Sequence, residues 1–206
     1  MEEIKIGRLL RATNTEFVVG CRVNQLGPPS FGSMVRINTS FGIEIYGLIY
    51  NITISDDGLV RQLSIAPDIA EAVIADTQEN RTVPVEISVL AIGYKKDGAI
   101  THLPPPTPPL SLDNIFLCSM DEVANFTPAN KLDYLRQILK HPEAPAAELL
   151  AAHFIQANAA HLESGSTDWI LDASRELTVL LKDDFAMLTD VFGAVAAAIP
   201  EIEGGE

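Results

Sequence analysis

Gly42-Ile43-Glu44-Ile45-Tyr46-Gly47-Leu48-Ile49-Tyr50-Asn51-Ile52-Thr53-Ile54 decides how the first half of this chain is read. The run is dominated by β-branched and aromatic side chains, which favour a pleated, half-buried surface. It is long and β-rich, holding Ile43, Ile45, Leu48, Ile49, Tyr50, Ile52 and Ile54, and predicts a long strand. Gly47 interrupts it and predicts a bulge or a sharp bend, as a small barrel needs.

Shorter segments of the same character flank this run. Ile4 to Ala12 alternates, with Ile4, Ile6 and Leu10 on one phase. Thr15 to Arg22 follows, with Phe17 and Val19 on one face, and the Thr13-Asn14 link suits a hairpin turn. Met34 to Asn38 is a short strand. Asp57-Gly58 reads as a turn into Leu59 to Ile65, and Val83 to Tyr94 is the last strong strand before the turn residues Lys96-Asp97-Gly98. Pro67 to Glu79 has Ile69, Ala70, Val73 and Ile74 at helical spacing, with Pro67 suited to a first turn. Many short strands with one inserted helix predict a closed or nearly closed barrel.

Leu103 to Leu110 holds five prolines in eight residues. It cannot be helix or central strand and is expected to be extended and stiff. Two readings fit: a strap leaving the barrel, or a peptide ligand for a proline-binding domain.

Beyond Cys118 the apolar spacing becomes helical. Thr127-Pro128 reads as a cap and first-turn proline, after which Leu132, Leu135, Ile138 and Leu139 share a face. His141-Pro142 and Ala144-Pro145 end that helix. Ala146 to Glu163, Asp168 to Lys182 and Phe185 to Ile199 are three more amphipathic stretches, with Ser164-Gly165-Ser166 as a stop and cap. The expected fold class is therefore α+β: a small N-terminal barrel over residues 1–118 with its exit strap at 103–110, then an antiparallel four-helix bundle over 119–206.

The 206 residues carry 14 basic and 28 acidic side chains, a formal net charge of -14. Direct binding to a nucleic-acid backbone or an anionic membrane needs dense Lys and Arg, so neither is expected. Residues 1–118 hold 9 basic against 13 acidic side chains and residues 119–206 hold 5 against 15. The acidic half is either a solvated outer face or a docking surface for a basic protein. No stretch of 18 apolar residues occurs, and the acidic Met1-Glu2-Glu3 start has no basic n-region, so membrane insertion and a signal peptide are not expected. The chain reads as cytoplasmic. Cys21 and Cys118 read as plain buried thiols, and the Asn-x-Ser/Thr triplets at Asn38, Asn51, Asn80 and Asn125 as chance matches.

Tests for chemistry return little. No Gly-Lys pair occurs, which excludes a phosphate loop of the GxxxxGK[ST] kind, and no G-x-G-x-x-G opens a dinucleotide site. The histidines are His102, His141, His153 and His161; the last two lie eight apart, about 12 Å along a helix, too far for a shared metal ion. Asp56-Asp57, Asp121-Glu122 and Asp183-Asp184 are adjacent acids that diverge by about 100° on a helix and make poor acid/base pairs. An oligonucleotide-binding barrel would need exposed aromatics among Lys and Arg. Phe31, Phe41, Tyr46 and Tyr50 are available, but this half is itself acidic. Neither cofactor nor metal is expected.

The β region resembles the HAS barrel, the small N-terminal barrel of HerA-type ATPases and rotary ATP synthase head subunits. The resemblance rests on Ile6-Gly7-Arg8-Leu9-Leu10, Thr13-Asn14-Thr15-Glu16-Phe17-Val18-Val19, Gly32-Ser33-Met34-Val35-Arg36-Ile37 and Ile45-Tyr46-Gly47-Leu48-Ile49-Tyr50-Asn51-Ile52, and covers residues 4–118. In that family the barrel does no chemistry, packs beside its neighbours in a ring and precedes a phosphate-loop motor. Here Asp113 to Glu122 leads into helices instead, so the resemblance implies association and not ATPase activity.

The expected function is a non-catalytic assembly or adaptor protein. Its barrel mediates oligomerisation or docking, and its acidic helices recruit a protein partner. Phe41, Pro104, Pro105, Pro106, Asp183 and Asp184 are the candidate interaction residues. The alternatives are an accessory subunit of a HerA-like motor complex, or an enzyme with a dispersed site between barrel and bundle.

Overall fold

The computed structural model describes residues 3–22, 29–54 and 84–198, with the isolated positions 65, 70, 71 and 73. The strand expected over Leu59 to Ile65 and the helix over Pro67 to Glu79 otherwise lie outside the described residues.

Among the described residues seven strands form one antiparallel sheet: β1 (Lys5–Ala12), β2 (Glu16–Arg22), β3 (Met34–Asn38), β4 (Ile43–Ile54), β5 (Pro84–Lys96), β6 (Ala99–Thr101) and β7 (Asn114–Leu117). Their order is β2-β1-β7-β3-β4-β5-β6, and β2 also pairs with β5 from Glu16↔Leu90 to Arg22↔Pro84. That second pairing closes a six-stranded barrel and leaves β6 as a short hairpin extension of β5. Closure removes the open edges that would otherwise invite pairing with other chains.

Long β4 and β5 are covered on both faces. Ile43, Ile45 and Ile49 point inward with Val85, Ile87, Val89 and Ala91, and join Ile6, Leu9, Phe17, Val19, Val35, Ile37 and Ile115 in the barrel core. Tyr46, Leu48, Tyr50, Leu90 and Ile92 point outward into a second core shared with the helices. Gly47 sits at a break in the β4–β5 register, as expected. A Cβ there would lie 2.5 Å from Val89 Cγ1 and 2.8 Å from the Leu90 carbonyl, so the strands can cross this closely only at glycine.

Strand β1 departs from simple alternation. Ile6 and Leu9 are buried and Leu10 is exposed, where Ile6 and Leu10 were expected to share a phase. The cause is an irregularity on each side of the strand, between Lys5 and Gly7 against β7 and between Leu9 and Arg11 against β2. Each inserts a residue and moves the side chains that follow to the other face.

The proline segment does not lead out of the barrel. Asn14 on the β1–β2 turn donates to the Pro105 carbonyl at 2.7 Å, and Pro105 and Pro109 are buried. The strap thus returns the chain to the barrel, where β7 enters between β1 and β3.

Among the described residues five α-helices and one 3-10 turn follow, where four helices were expected: α1 (Met120–Phe126), the 3-10 turn (Ala129–Leu132), α2 (Leu135–Lys140), α3 (Ala146–Glu163), α4 (Trp169–Leu180) and α5 (Phe185–Ala198). The additional helix, α1, starts at a capping box in which Glu122 N–H donates to Ser119 Oγ and Ser119 N–H donates to Glu122 Oε2. Thr127 is not the cap of a following helix. It ends α1, and its hydroxyl donates back to the Val123 carbonyl. Asn130 and Lys131 then take left-handed backbone angles, which delays the next helix to Leu135.

A column of rings runs through the helical layer. Tyr46 of the barrel meets Phe126 at 4.6 Å, Phe126 meets His102 at 4.7 Å, His102 meets Tyr134 at 5.1 Å, and Tyr134 meets His153 at 5.6 Å. Phe154, Trp169 and His161 continue it, the last two stacked 4.9 Å apart. Phe126, Tyr134 and Phe154 are fully buried, and such rings dominate the energetics of a core. Among the described residues no helix is long and apolar enough to cross a membrane.

Candidate functional site

A groove of about 620 Å³ opens where the barrel meets the helices. One wall is Thr15, Glu16 and Leu90 of the barrel; the floor and lip are His102, Leu103 and Pro104 of the strap. The other wall is α2 and the turn after it, from Asp133 and Arg136 to Lys140, His141 and Glu143. Its size and its mixture of apolar surface with a few polar groups are those of a small-ligand site.

Most of its polar groups already have partners. The Gln137 amide donates to the Ile92 carbonyl at 2.8 Å and the His102 carbonyl at 3.2 Å, tying α2 to β5 and the strap. His141 Nδ1 accepts from Ala144 N–H at 3.2 Å, which places the proton on Nε2, 3.4 Å from Glu16 Oε2. The same Glu16 oxygen takes the Tyr50 hydroxyl at 3.4 Å, and Tyr50 lies 4.8 Å from the His141 ring. Burial and then the Glu16 charge raise the Tyr50 hydroxyl above its ordinary range. Arg136 pairs with Asp133 at 3.2 Å. His102 is 3% exposed: Nε2 faces the Phe126 carbonyl at 3.1 Å, and Nδ1 is buried with no hydrogen-bond partner among the described residues. Burial lowers its pKa, opposed by the Phe126 carbonyl, so the ring is neutral near pH 7. Thr15 is the groove's sole hydroxyl among the described residues, and it faces Thr13 Oγ1, not a base. The groove can therefore bind and orient, and among the described residues lining it no nucleophile stands beside a base.

A second pocket, about 520 Å³, surrounds Arg36. The guanidinium is nearly buried, with Glu3 and Glu122 against it and the Phe116 ring 5.2 Å away. Glu122 thus both caps α1 and anchors that helix to β3. Cys118 lies beside this cluster, and burial followed by the Glu122 charge drives its thiol well above the ordinary range. Burial also raises the Cys21 thiol in the barrel core. Both cysteines are free and neither is an activated thiolate.

A third feature is the barrel rim at the β3–β4 turn. Ile37 pairs with Ile115, so this turn and the start of β7 share one end of the barrel. Phe41 is 60% exposed there, Leu112 66% and Leu110 52%; Leu10, 43% exposed, packs over Gly20 of β2. Leu112 N–H donates to the Leu9 carbonyl and Ser111 Oγ to the Leu10 carbonyl, which fixes the loop to β1. Leu112 has φ +73, a left-handed conformation that costs a branched side chain about 1–2 kcal/mol. An exposed apolar side chain held in a strained conformation is a pointer to function.

The sequence-derived residues are not brought together. Phe41 lies on the rim, and Pro104 lines the groove. Pro105 is buried against Asn14 and serves the strap, while Pro106 is exposed. Asp183 is exposed on the α4–α5 link, and Asp184 Oδ1 accepts from Met187 N–H as the start of α5 forms. Glu16, His102, Gln137 and His141 carried no motif, because strap, hairpin and α2 meet only in the folded chain. No family model matches this chain, and no curated protein matches it.

Proposed function

We propose that this chain is a non-catalytic assembly or adaptor protein, built on a barrel of the HAS type and acting in the cytoplasm. The observation that carries the reading is the loop before β7 with the β3–β4 turn: Phe41, Leu110 and Leu112 are exposed there, and Leu112 is strained. Large apolar side chains left exposed at a barrel end favour protein contact over solvation. The groove supports the same reading, since the Gln137 amide ties α2 to β5 and the strap and His141 faces Glu16 of the barrel. Service beside a HerA-like motor is one form of this function and rests on fold resemblance.

The test is size-exclusion chromatography with light scattering on the purified full chain, alone and with proteins that co-purify from its source. Wild type is expected as an oligomer or in a stoichiometric complex, and Phe41→Ser with Leu112→Ser is expected to release it while remaining folded. A monomeric wild type with no stoichiometric partner overturns the reading. A second reading, a site acting on a small molecule, is favoured by the groove and by the unpaired Nδ1 of His102. Turnover of a metabolite that disappears in His102→Gln would establish it in place of the first.

A further inference from the structure

The histidines of this chain are His102, His141, His153 and His161, so none falls in strands β1 to β7. His141 stands against the Glu16 carboxylate, where a charged ring has a partner. The other three are buried in the helical layer and its seam with the barrel. The His102 ring packs against Phe126 and Tyr134, and Phe126 in turn meets Tyr46 of β4. His153 of α3 faces the Tyr134 hydroxyl and the carbonyl of Gly32, which packs on α3 at Ala152 and His153. His161, near the end of α3, lies 2.7 Å from the Thr127 hydroxyl and stacks on Trp169. The groups facing His153 and His161 carry no charge, and Asp172 and Arg175 of α4 pair with each other. At His102 the Phe126 carbonyl and the Asp133 carboxylate favour a charged ring, but burial outweighs both. The barrel interior, by contrast, is hydrocarbon apart from the Cys21 thiol.

We propose that the seam is an acid-sensitive switch: in mild acid the helical layer parts from a barrel that stays closed, and the apolar outer face of β4 and β5 is uncovered. A proton placed on a ring inside the seam costs hydration that these neighbours do not restore, whereas a ring released to water takes it up freely. Opening therefore becomes easier as pH falls through the ordinary histidine range. The barrel has no group that gains charge in its core, and its backbone ladders do not titrate. Opening of one cooperative unit ahead of the rest follows. Tyr46, Leu48, Leu90 and Ile92 are buried beneath the helices, and Leu48 pairs with Leu90 across the two strands. Their release leaves a large apolar patch available to another apolar surface.

Hydrogen exchange by mass spectrometry on the full chain at pH 7.5 and 5, corrected for the intrinsic pH dependence of exchange, tests this beside the emission of Trp169, the chain's single tryptophan. Protection in α3 is expected to fall while that of β1 to β5 holds, Trp169 emission is expected to move to the red, and both are expected to recover at pH 7.5. His153 alone, which takes its proton near 6.5 when released and near 4 when closed, raises the opening constant about 30-fold between those pH values. His153→Gln, which keeps a polar group toward Tyr134 without a titration, is expected to reduce that fold-change. Strands and helices that lose protection together overturn the inference and leave a chain that unfolds in acid as one unit. Helical protection unchanged at pH 5, or a response equally large in His153→Gln, overturns it as well. The wild-type exchange pattern decides the matter even where the variant fails to fold.

Discussion

The Tyr134 hydroxyl lies 3.0 Å from His153 Nε2, and both side chains are buried between α2 and α3. The neutral imidazole accepts at Nε2, so the tyrosine donates. A charged ring here would lose its hydration with no carboxylate beside it, and burial accordingly lowers the His153 pKa from 6.5 to about 4. Burial lowers His102 and His161 as well.

These shifts predict an acid-sensitive fold. An unfolded His153 takes up its proton near pH 6.5, whereas the folded one does so near 4. Between those values the unfolded state binds more protons. The stabilisation is complete above pH 6.5 and is lost as pH falls towards 4, with a slope of about 1.4 kcal/mol per unit. Urea unfolding midpoints at pH 7.5, 6, 5 and 4.5 are expected to fall steadily, and His153→Gln to flatten the profile. A profile unchanged down to pH 4.5 would contradict this.

Glu122 serves two structures, and substitutions separate them. Glu122→Gln keeps a side chain able to complete the capping box but loses the charge against Arg36. Glu122→Ala loses both. The alanine variant is expected to be less stable than the glutamine variant by about 1 kcal/mol in denaturant unfolding. Equal losses would mean that the cap contributes nothing.

Two glycines predict opposite signs. Gly47→Ala drives a methyl group against Val89 and the Leu90 carbonyl where β4 crosses β5, and is expected to cost about 1–3 kcal/mol. Gly193 lies within α5 with open space around the position of a Cβ. Gly193→Ala is expected to stabilise by about 0.5–1 kcal/mol. Thermal melts of both variants check the pair.

Leu112→Gly separates strain from association. Glycine takes φ +73 without penalty, so the variant is expected to be about 1 kcal/mol more stable. It also removes the exposed side chain from the rim and is expected to weaken association. Greater stability with unchanged association would remove Leu112 from the contact.

Local patterns decided much of the architecture. Period-two runs, Gly47 and the hairpin residues at Thr13-Asn14 specify strands and turns through neighbours a few residues away, so Ile43–Ile54 and Met34–Asn38 were legible in advance. The spacing of apolar residues likewise marked α3, α4 and α5. The Ser119-x-x-Glu122 capping box was also present in the sequence as a sign of α1, but the first helix was read from Thr127-Pro128 onward. The tertiary structure decided the rest. β7 has four residues and no pattern strong enough to stand out; it becomes a strand because closure leaves a gap between β1 and β3 that only a returning chain can fill. The irregular register of β1, the left-handed Leu112 and the meeting of Glu16, His102 and His141 have the same origin. They arise from contacts between residues far apart in sequence, where the cost of local strain is offset by burial that no short window of sequence records.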